Sequence, residues 1–116
     1  MTAQRMRRVD EAMREVLSDA LTHDLKDPRV GFVTVTHVKT SPDLRHARVY
    51  VSVLGDDAAV AASLEGLRSA HGFLQGRVGS ELRLKNTPAL QFVHDDTAAR
   101  AQRLEELLGE QSESPR

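Results

Sequence analysis

The sequence has no cysteine or tryptophan, and only one tyrosine and three phenylalanines among its 116 residues. Without cysteine, disulfide bonds and thiolate metal sites are excluded. The scarcity of aromatic side chains argues against folds that stack bases on several rings, such as RRM and OB folds. No apolar run is long enough to span a membrane, and the basic N-terminus meets Asp10 and Glu11 rather than a signal-peptide core. These absences predict a soluble, cytoplasmic protein.

The net charge of −1 conceals an uneven distribution. Residues 1–94 carry 13 basic and 11 acidic side chains, a net charge of +2, whereas residues 95–116 carry 3 and 6, a net charge of −3. A uniformly basic nucleic-acid binder is therefore excluded, and only local basic patches remain available. The length predicts a single domain, which we place at residues 3–108. Residues 109–116 are polar and are predicted to be a disordered tail.

The first half of the chain predicts one helix and a β-hairpin. Apolar residues from Met6 to Leu25 recur at steps of three and four, which predicts a helix over residues 3–26 that ends before Pro28. Residues 30–40 are rich in β-branched side chains and predict a strand. A Ser-Pro-Asp turn follows, and the alternating pattern of residues 47–54 predicts a second, antiparallel strand.

The second half predicts a broken pair of helices and a third strand. Asp56 or Asp57 can cap a helix over residues 58–69, and a third helix extends to about residue 84. Small residues around Ala70 permit a bend between them, with Gly72 free to adopt a positive φ. Residues 89–94 predict a strand that crosses over to pair in parallel with the hairpin, and residues 98–108 predict a C-terminal helix. The expected fold is α+β, with helices on one face of a three-stranded mixed sheet.

Basic residues accumulate around the predicted bend, while Glu81 is the only acid between Arg68 and Lys85. The first amide groups of the third helix, just past Gly72, are suited to an anion. Arginine and lysine side chains beside them would add charge-assisted contacts to phosphate. The alternative is that these charges are merely solvated, and the same two interpretations apply to the basic start of the first helix.

The sequence contains few motifs that would indicate a catalytic site or a metal site. No two of the five histidines lie three or four residues apart, there is no phosphate-binding Gly-Lys-Ser/Thr loop, and no serine lies in a nucleophile motif. His94, Asp95 and Asp96 admit a small hydrolase as one alternative, although a strand end followed by a helix cap explains them more simply. We predict no catalytic residues, no metal and no cofactor.

Several short fragments in register resemble the ribosome-binding factor A family. They are Arg8-Val9, DPRVGFVTVT at 27–36, SPDL at 41–44, ARVYVS at 47–52, LRLKNTPAL at 82–90 and FVHDD at 92–96. The resemblance covers about residues 3–108. It implies a KH-like fold of the type II order α-β-β-α-kink-α-β, in which an Ala-x-Gly bend replaces the Gly-x-x-Gly loop of KH domains. Ala70-His71-Gly72 matches that bend.

A literal Gly-x-x-Gly also occurs, at Gly76 and Gly79. If it were the loop, the following helix would have less than two turns before Pro88, which is too short to cover a sheet. We therefore place the bend at Ala70–Gly72 and both glycines inside the third helix, at a cost of about 1 kcal/mol each.

The resemblance implies a non-enzymatic, monomeric assembly factor that binds 16S rRNA within the free 30S subunit and supports late maturation and rRNA processing. The residues predicted to contact RNA are Arg5, Arg7, Arg8, Arg68, Ala70, His71, Gly72, Arg77, Arg83 and Lys85. The alternative outside this class is a protein-interaction module that uses the apolar sheet edge or the acidic tail.

Overall fold

The computed structural model describes residues 3–84, 86–97, 101 and 104–108. Helix α1 spans Ala3–Asp19 and continues into a π-helical turn at Ala20–Asp24. Strands β1 and β2 span Val33–Thr40 and His46–Val53, helices α2 and α3 span Asp57–Ser69 and His71–Leu82, and strand β3 spans Ala89–His94. The predicted α+β class and element order are confirmed. None of the described helices is both long and apolar enough to cross a membrane.

The three strands form one mixed sheet in the order β1-β2-β3. β1 pairs antiparallel with β2, and β3 pairs in parallel with β2, as the crossover through two helices requires. On β2 the residues Ala47, Val49, Val51 and Val53 are buried, whereas those between them are exposed or half-buried. The sheet therefore packs its apolar face on the helices and leaves the other face open to solvent.

The core lies between this apolar face and the three helices. Each helix contributes buried apolar side chains, including Met13 and Leu17 from α1, Leu67 from α2, and Leu74 and Val78 from α3. Ala20 in the π-helical turn is also buried. One contiguous cluster of this kind is expected of a single domain. The predicted domain limits of 3–108 stay a prediction.

Element ends differ from the expectations by a few residues. The first helix does not continue to residue 26. The Leu25 N–H donates to Ala20 O at 2.9 Å, in the i to i−5 pattern of a π-helical turn, and the backbone of Leu25 is already extended. β1 starts at Val33 rather than at residue 30, since Val30 N–H is used in a turn to Asp27 O. α3 stops at Leu82, where Arg83 adopts a left-handed conformation with φ of 51° and donates its N–H to Gly79 O.

The start of α2 follows ordinary capping chemistry. Asp56 Oδ1 accepts a hydrogen bond from Ala59 N–H at 2.9 Å, so the predicted aspartate cap is confirmed. Of the predicted C-terminal helix, residues 101 and 104–108 are described and are helical, and Leu104, Leu107 and Leu108 are largely exposed. The predicted tail at 109–116 lies outside the described residues.

Candidate functional site

The helical segment is broken at Ala70, between α2 and α3. Ala70 has φ of −89° and ψ of 7°, a bridge conformation open to any L-residue. Its N–H donates to Gly66 O and Leu67 O at 3.1 and 3.2 Å, and its carbonyl accepts from Leu74 N–H at 3.0 Å. The predicted bend is therefore present. Gly72 does not use its freedom to adopt a positive φ, because Ala70 absorbs the bend and Gly72 is an ordinary residue in the first turn of α3.

The hinge surface consists of Arg68, Ala70, His71 and Gly72. Arg68, His71 and Gly72 are exposed, and Ala70 is half-buried. A Cβ built on Gly72 meets no atom within 4 Å, so the backbone here is accessible to a ligand. The amide groups of this first turn of α3 are where a helix binds anions.

A depression of about 360 Å³ lies next to the hinge surface and is lined by His71, Gly72, Gln75, Gly76 and Thr87. Among the residues that the structure describes, no acidic side chain lines it. Gln75 is half-buried, and its Oε1 is enclosed and has no hydrogen-bond partner among the described residues, so a ligand cannot reach this atom unless the side chain moves. Sequence reasoning missed Gln75 and Thr87. The signal for Gln75 was its position four residues after His71, on the same face of a helix.

The two glycines of the literal Gly-x-x-Gly lie inside α3, as predicted, but their surroundings differ. A Cβ on Gly76 meets nothing within 4 Å. A Cβ on Gly79 would lie 2.6 Å from Thr87 Oγ1, so this glycine permits the segment before β3 to cross α3 closely. Gly79 thus serves packing, whereas Gly76 extends the accessible backbone near the hinge surface.

Arg77 is committed to carboxylates rather than open to solvent. Its guanidinium pairs with Asp24, with Glu81 at 3.0 Å and with Asp19 at 3.4 Å, and its side chain is 25% exposed. Hydrogen bonding to Asp24 first, and then to Glu81, raises the pKa of Arg77. The side chain therefore fastens α3 to the end of α1 and the π-helical turn. An RNA phosphate would have to displace these carboxylates before it could bind Arg77.

The carboxylates around Arg77 come mostly from the first helical segment. The groove between α1 and α3 is lined by Glu15, Asp19 and Glu81 together with apolar side chains. Along the chain Glu81 is the only acid near Arg77, but in three dimensions α1 brings others to the same flank. A continuous basic track along α3 is therefore absent from the described residues.

The remaining predicted basic residues gather at the far end of α3. Arg8 lines a small groove of about 210 Å³ with Val9, Ala12, Leu82 and Leu84, so the start of α1 lies beside the end of α3. Arg5, Arg7, Arg8 and Arg83 are exposed. Twelve residues of α3 span about 18 Å, which separates this basic end from the hinge surface. Lys85 lies outside the described residues. RNA contact by all ten predicted residues stays a prediction.

His94 ends β3, as the predicted strand end requires, and Asp95 and Asp96 follow it. The helix that they were predicted to cap begins in residues of which 98–100 lie outside the described part of the chain. Asp95 Oδ1 accepts from Thr97 N–H at 2.9 Å, and Thr36 Oγ1 donates to Asp95 Oδ2 at 2.8 Å. Hydrogen bonds from the Thr97 hydroxyl, the Thr97 amide and Thr36 lower the pKa of Asp95 to about 2. No three histidine or acidic side chains among the described residues are placed to hold a metal ion.

Comparison with known proteins finds a matching family. The family model described as ribosome-binding factor A matches residues 5–108. Ribosome-binding factor A of Anaeromyxobacter sp. (strain K) is 52% identical over 110 residues, which are 94% of this chain and 80% of that protein.

An NMR structure and a homology model fitted into a cryo-EM map share the fold. The solution NMR structure of a Thermotoga maritima protein, a candidate ribosome binding factor A, matches with a TM-score of 0.72 and 35% identity, over 80% of this chain and 89% of that one. A Thermus thermophilus ribosome binding factor A homology model, fitted into a cryo-EM map of a 30S complex, matches with a TM-score of 0.63 and 24% identity, over 75% and 91%. The chain belongs to the ribosome-binding factor A family, whose members are ribosome-associated assembly factors and not enzymes.

Proposed function

We propose that this protein binds the free small (30S) ribosomal subunit through 16S rRNA and supports late subunit maturation and rRNA processing, as a monomer in the cytoplasm. Family membership over residues 5–108 is the observation that carries the proposal. The related Thermus thermophilus protein, described in a 30S complex, supports the small subunit as the partner.

The hinge surface is the part of the molecule that suits RNA best. It combines accessible backbone at Gly72, the first-turn amide groups of α3, and the exposed side chains of Arg68 and His71. Phosphate binds well where helix amides and a cation converge. The adjacent depression adds the polar side chains of Gln75 and Thr87 beside the hinge surface.

The basic end formed by Arg5, Arg7, Arg8 and Arg83 supplies a second group of positive charges about one α3 length away. Lys85 follows Arg83 in the sequence and is proposed to act with it. Arg77 lies between the two groups but is held by carboxylates, so we assign it to the structural support of the site. RNA therefore contacts the helical side of the molecule at two separated places.

Assembly requires the protein to distinguish maturing from mature subunits. A factor can shift a conformational equilibrium only by its difference in affinity for the two states. We propose that the hinge surface and the basic end bind phosphates that lie at the right separation only in the immature RNA. The protein leaves when maturation changes that separation.

The test is sedimentation of the purified protein with free 30S subunits at low and high salt. We expect wild-type protein to travel with free subunits and Arg68→Glu to bind about tenfold more weakly, with the salt slope reduced by about 1. The matched control is the double variant Ala58→Glu/Ala61→Glu. It changes the net charge by the same amount at exposed positions earlier on α2, with Ala58 about 15 Å from Arg68.

Failure of the wild-type protein to associate with free subunits would refute the function. Equal losses of subunit affinity in Arg68→Glu and in the control would instead show that the hinge surface does not contribute to binding.

Protein binding is the second candidate function, and one observation favours it. Phe32 and Leu54 are 80% and 74% exposed and lie side by side at the end of the hairpin, where Leu54 N–H donates to Phe32 O. Salt-insensitive binding to a purified protein, lost in Phe32→Ser, would support that candidate.

A further inference from the structure

The open face of the sheet carries an ordered set of polar side chains that the proposed function does not use. The pairing register places residues in rows across the strands. One row is Lys39, Arg48 and Gln91, and the next is His37, Tyr50 and Val93. Two residues along a strand separate the rows, a distance of about 7 Å. We call the first two residues of each row, with His46 beside them, the sheet strip.

A β-bulge at Thr36 creates this strip. Val35 pairs with Val51 and His37 pairs with Tyr50, so Thr36 is an extra residue outside the pairing register, with its hydroxyl 3.2 Å from Tyr50 O. Val35 is buried, and in a regular strand His37 and Lys39 would share its inward side. The extra residue reverses the alternation, so that Val38 and Thr40 are buried and His37 and Lys39 face solvent. The Thr36 hydroxyl, which donates to Asp95, holds the bulge in place.

Lys39 and Arg48 are opposite each other on neighbouring strands, with like charges. Directly opposed residues in an antiparallel pair lie about 5 Å apart, and like charges there are destabilising. Both side chains are exposed, and neither forms a hydrogen bond or an ion pair with any described residue. A lysine on an edge strand also guards against strand addition. That explanation fails for Arg48, because β2 is the central strand.

The surroundings of the pair favour an anion. Lys39, Arg48, His46 and Gln91 line a depression of about 390 Å³ together with Thr40, Ser41 and Pro42, and no acidic side chain of the described residues lines it. Two carboxylates of the described residues border the open face. Asp43 is engaged by Ser41 Oγ and Arg45 N–H, while Asp95, at the other end of the strip, is engaged by Thr36 and Thr97 and lies 3.8 Å from His37 Nδ1. Positive charge is thus concentrated at the hairpin end of the face.

The neighbouring row offers a π-surface. The rings of His37 and Tyr50 are stacked, with centroids 4.1 Å apart and planes at 12°. Nucleic-acid bases stack on such rings whatever their sequence, and a cation beside them binds the connecting phosphate. An acidic protein segment would engage the cations but would leave the ring pair without a role.

We propose that the sheet strip is a second RNA-binding surface, on which a single-stranded RNA segment lays a phosphate between Lys39 and Arg48 and stacks a base against the His37–Tyr50 pair. This inference rests on the proposed binding of rRNA. It places a single-stranded segment on the side of the sheet opposite the helices, so the protein contacts RNA from two faces. His46 and Gln91 add donors beside the phosphate.

The experiment has two independent arms. In the first, ¹⁵N-labelled protein is titrated with a ten-nucleotide oligouridine RNA at low salt, and the shifts of backbone amides are followed. In the second, binding to free 30S subunits is compared for wild type, Lys39→Thr/Arg48→Thr and the Ala58→Glu/Ala61→Glu control of equal charge change. Threonine favours strands, and its introduction removes the like-charge pair, so the variant is expected to keep or raise its Tm.

We expect oligouridine to shift the amides of His37, Lys39, Arg48 and Tyr50, and the threonine variant to abolish those shifts. We expect the same variant to bind subunits at least tenfold more weakly, with the salt slope reduced by about 1, while the control is unchanged. The single variant Lys39→Arg, in which Arg48 is unchanged, is expected to keep most of the wild-type affinity, because it preserves both positive charges.

Oligouridine shifts confined to the hinge surface, or unchanged subunit binding in the threonine variant, would overturn the inference and leave the proposed function intact. If the threonine variant loses subunit binding but oligouridine shifts no amide in the strip of the wild type, the face binds a protein partner, and the inference is also overturned. If wild-type protein fails to bind subunits while oligouridine still shifts the amides of the strip, the proposed function is refuted and the RNA-binding surface is supported.

Discussion

The two sides of α3 differ more than their sequences suggest. The outer side, which carries His71, Gly72 and Gly76, is accessible: His71 is exposed, and a Cβ on either glycine would meet no atom within 4 Å. The inner side buries Leu74 and Val78 completely. Residues one to three positions apart therefore have opposite roles, because a 3.6-residue period turns neighbouring side chains in different directions. A short helix can thus be rigidly held and still present an accessible surface.

The comparison predicts the largest effect for the adjacent pair Phe73 and Leu74. Leu74 is fully buried, whereas Phe73 is 45% exposed. Leu74→Ala is expected to lower the free energy of unfolding by roughly 3 kcal/mol, because it leaves a cavity beneath the hinge. Phe73→Ala should cost about 1 kcal/mol, since the ring loses only part of its burial. Urea denaturation of both variants measures the difference, and equal costs would show that the inner side does not anchor the helix.

A second contrast concerns Arg77 and Arg68, which carry the same charge on consecutive helices. Arg77→Glu would place a fourth carboxylate among Asp19, Asp24 and Glu81, so we expect a clear fall in Tm. Arg68→Glu replaces an exposed side chain, so we expect its Tm to stay near wild type while its affinity for free 30S subunits falls about tenfold.

Thermal melts followed by circular dichroism, together with subunit sedimentation at a temperature where both variants are folded, separate the two roles. A stable Arg77→Glu variant would show that the carboxylate contacts are weak surface pairs. A folded Arg77→Glu variant that loses as much affinity as Arg68→Glu would mean that Arg77 leaves its carboxylates to bind RNA.

Much of this arrangement follows from local sequence. The alternation of Ala47, Val49, Val51 and Val53 fixes which face of β2 is buried, and small residues around Ala70 predict the break between α2 and α3. Both signals are readable because they depend on residues close together in the chain. The conformation of Gly72 was not readable, since either Ala70 or Gly72 has a backbone that can absorb the bend.

One of the features that sequence reasoning missed depends on contacts between distant segments. The carboxylates around Arg77 reach it only because α1 packs beside α3, more than fifty residues away in the chain. The bulge at Thr36 has a local mark that sequence reasoning missed. Val33 and Val35 alternate with threonines, and the two consecutive polar residues Thr36 and His37 then reverse the alternation before Val38. The hydrogen bond from Thr36 to Asp95, which follows β3, could not be read from the strand itself.

The smallest and most specific contrast is between Gly76 and Gly79, which have the same helical environment but different neighbours. Gly76→Ala is expected to raise the free energy of unfolding by up to about 1 kcal/mol, because alanine favours helix and nothing opposes its Cβ. Gly79→Ala gains the same propensity but forces Thr87 to move, since its Cβ would lie 2.6 Å from Oγ1 and 3.6 Å from both Cβ and Cγ2 of that residue. We expect a net loss of about 1 kcal/mol.

Thr87→Ala removes the obstructing hydroxyl, so the double variant Gly79→Ala/Thr87→Ala should recover most of what Gly79→Ala loses. The coupling energy from a double-mutant cycle, measured by urea denaturation, isolates the contact from any general effect of alanine in α3. The same cycle with Gly76 in place of Gly79 serves as the control and should give a coupling near zero. Coupling at Gly76 as large as at Gly79 would mean that the segment before β3 crosses the outer side of α3, and would remove the accessible backbone from which the hinge surface is built.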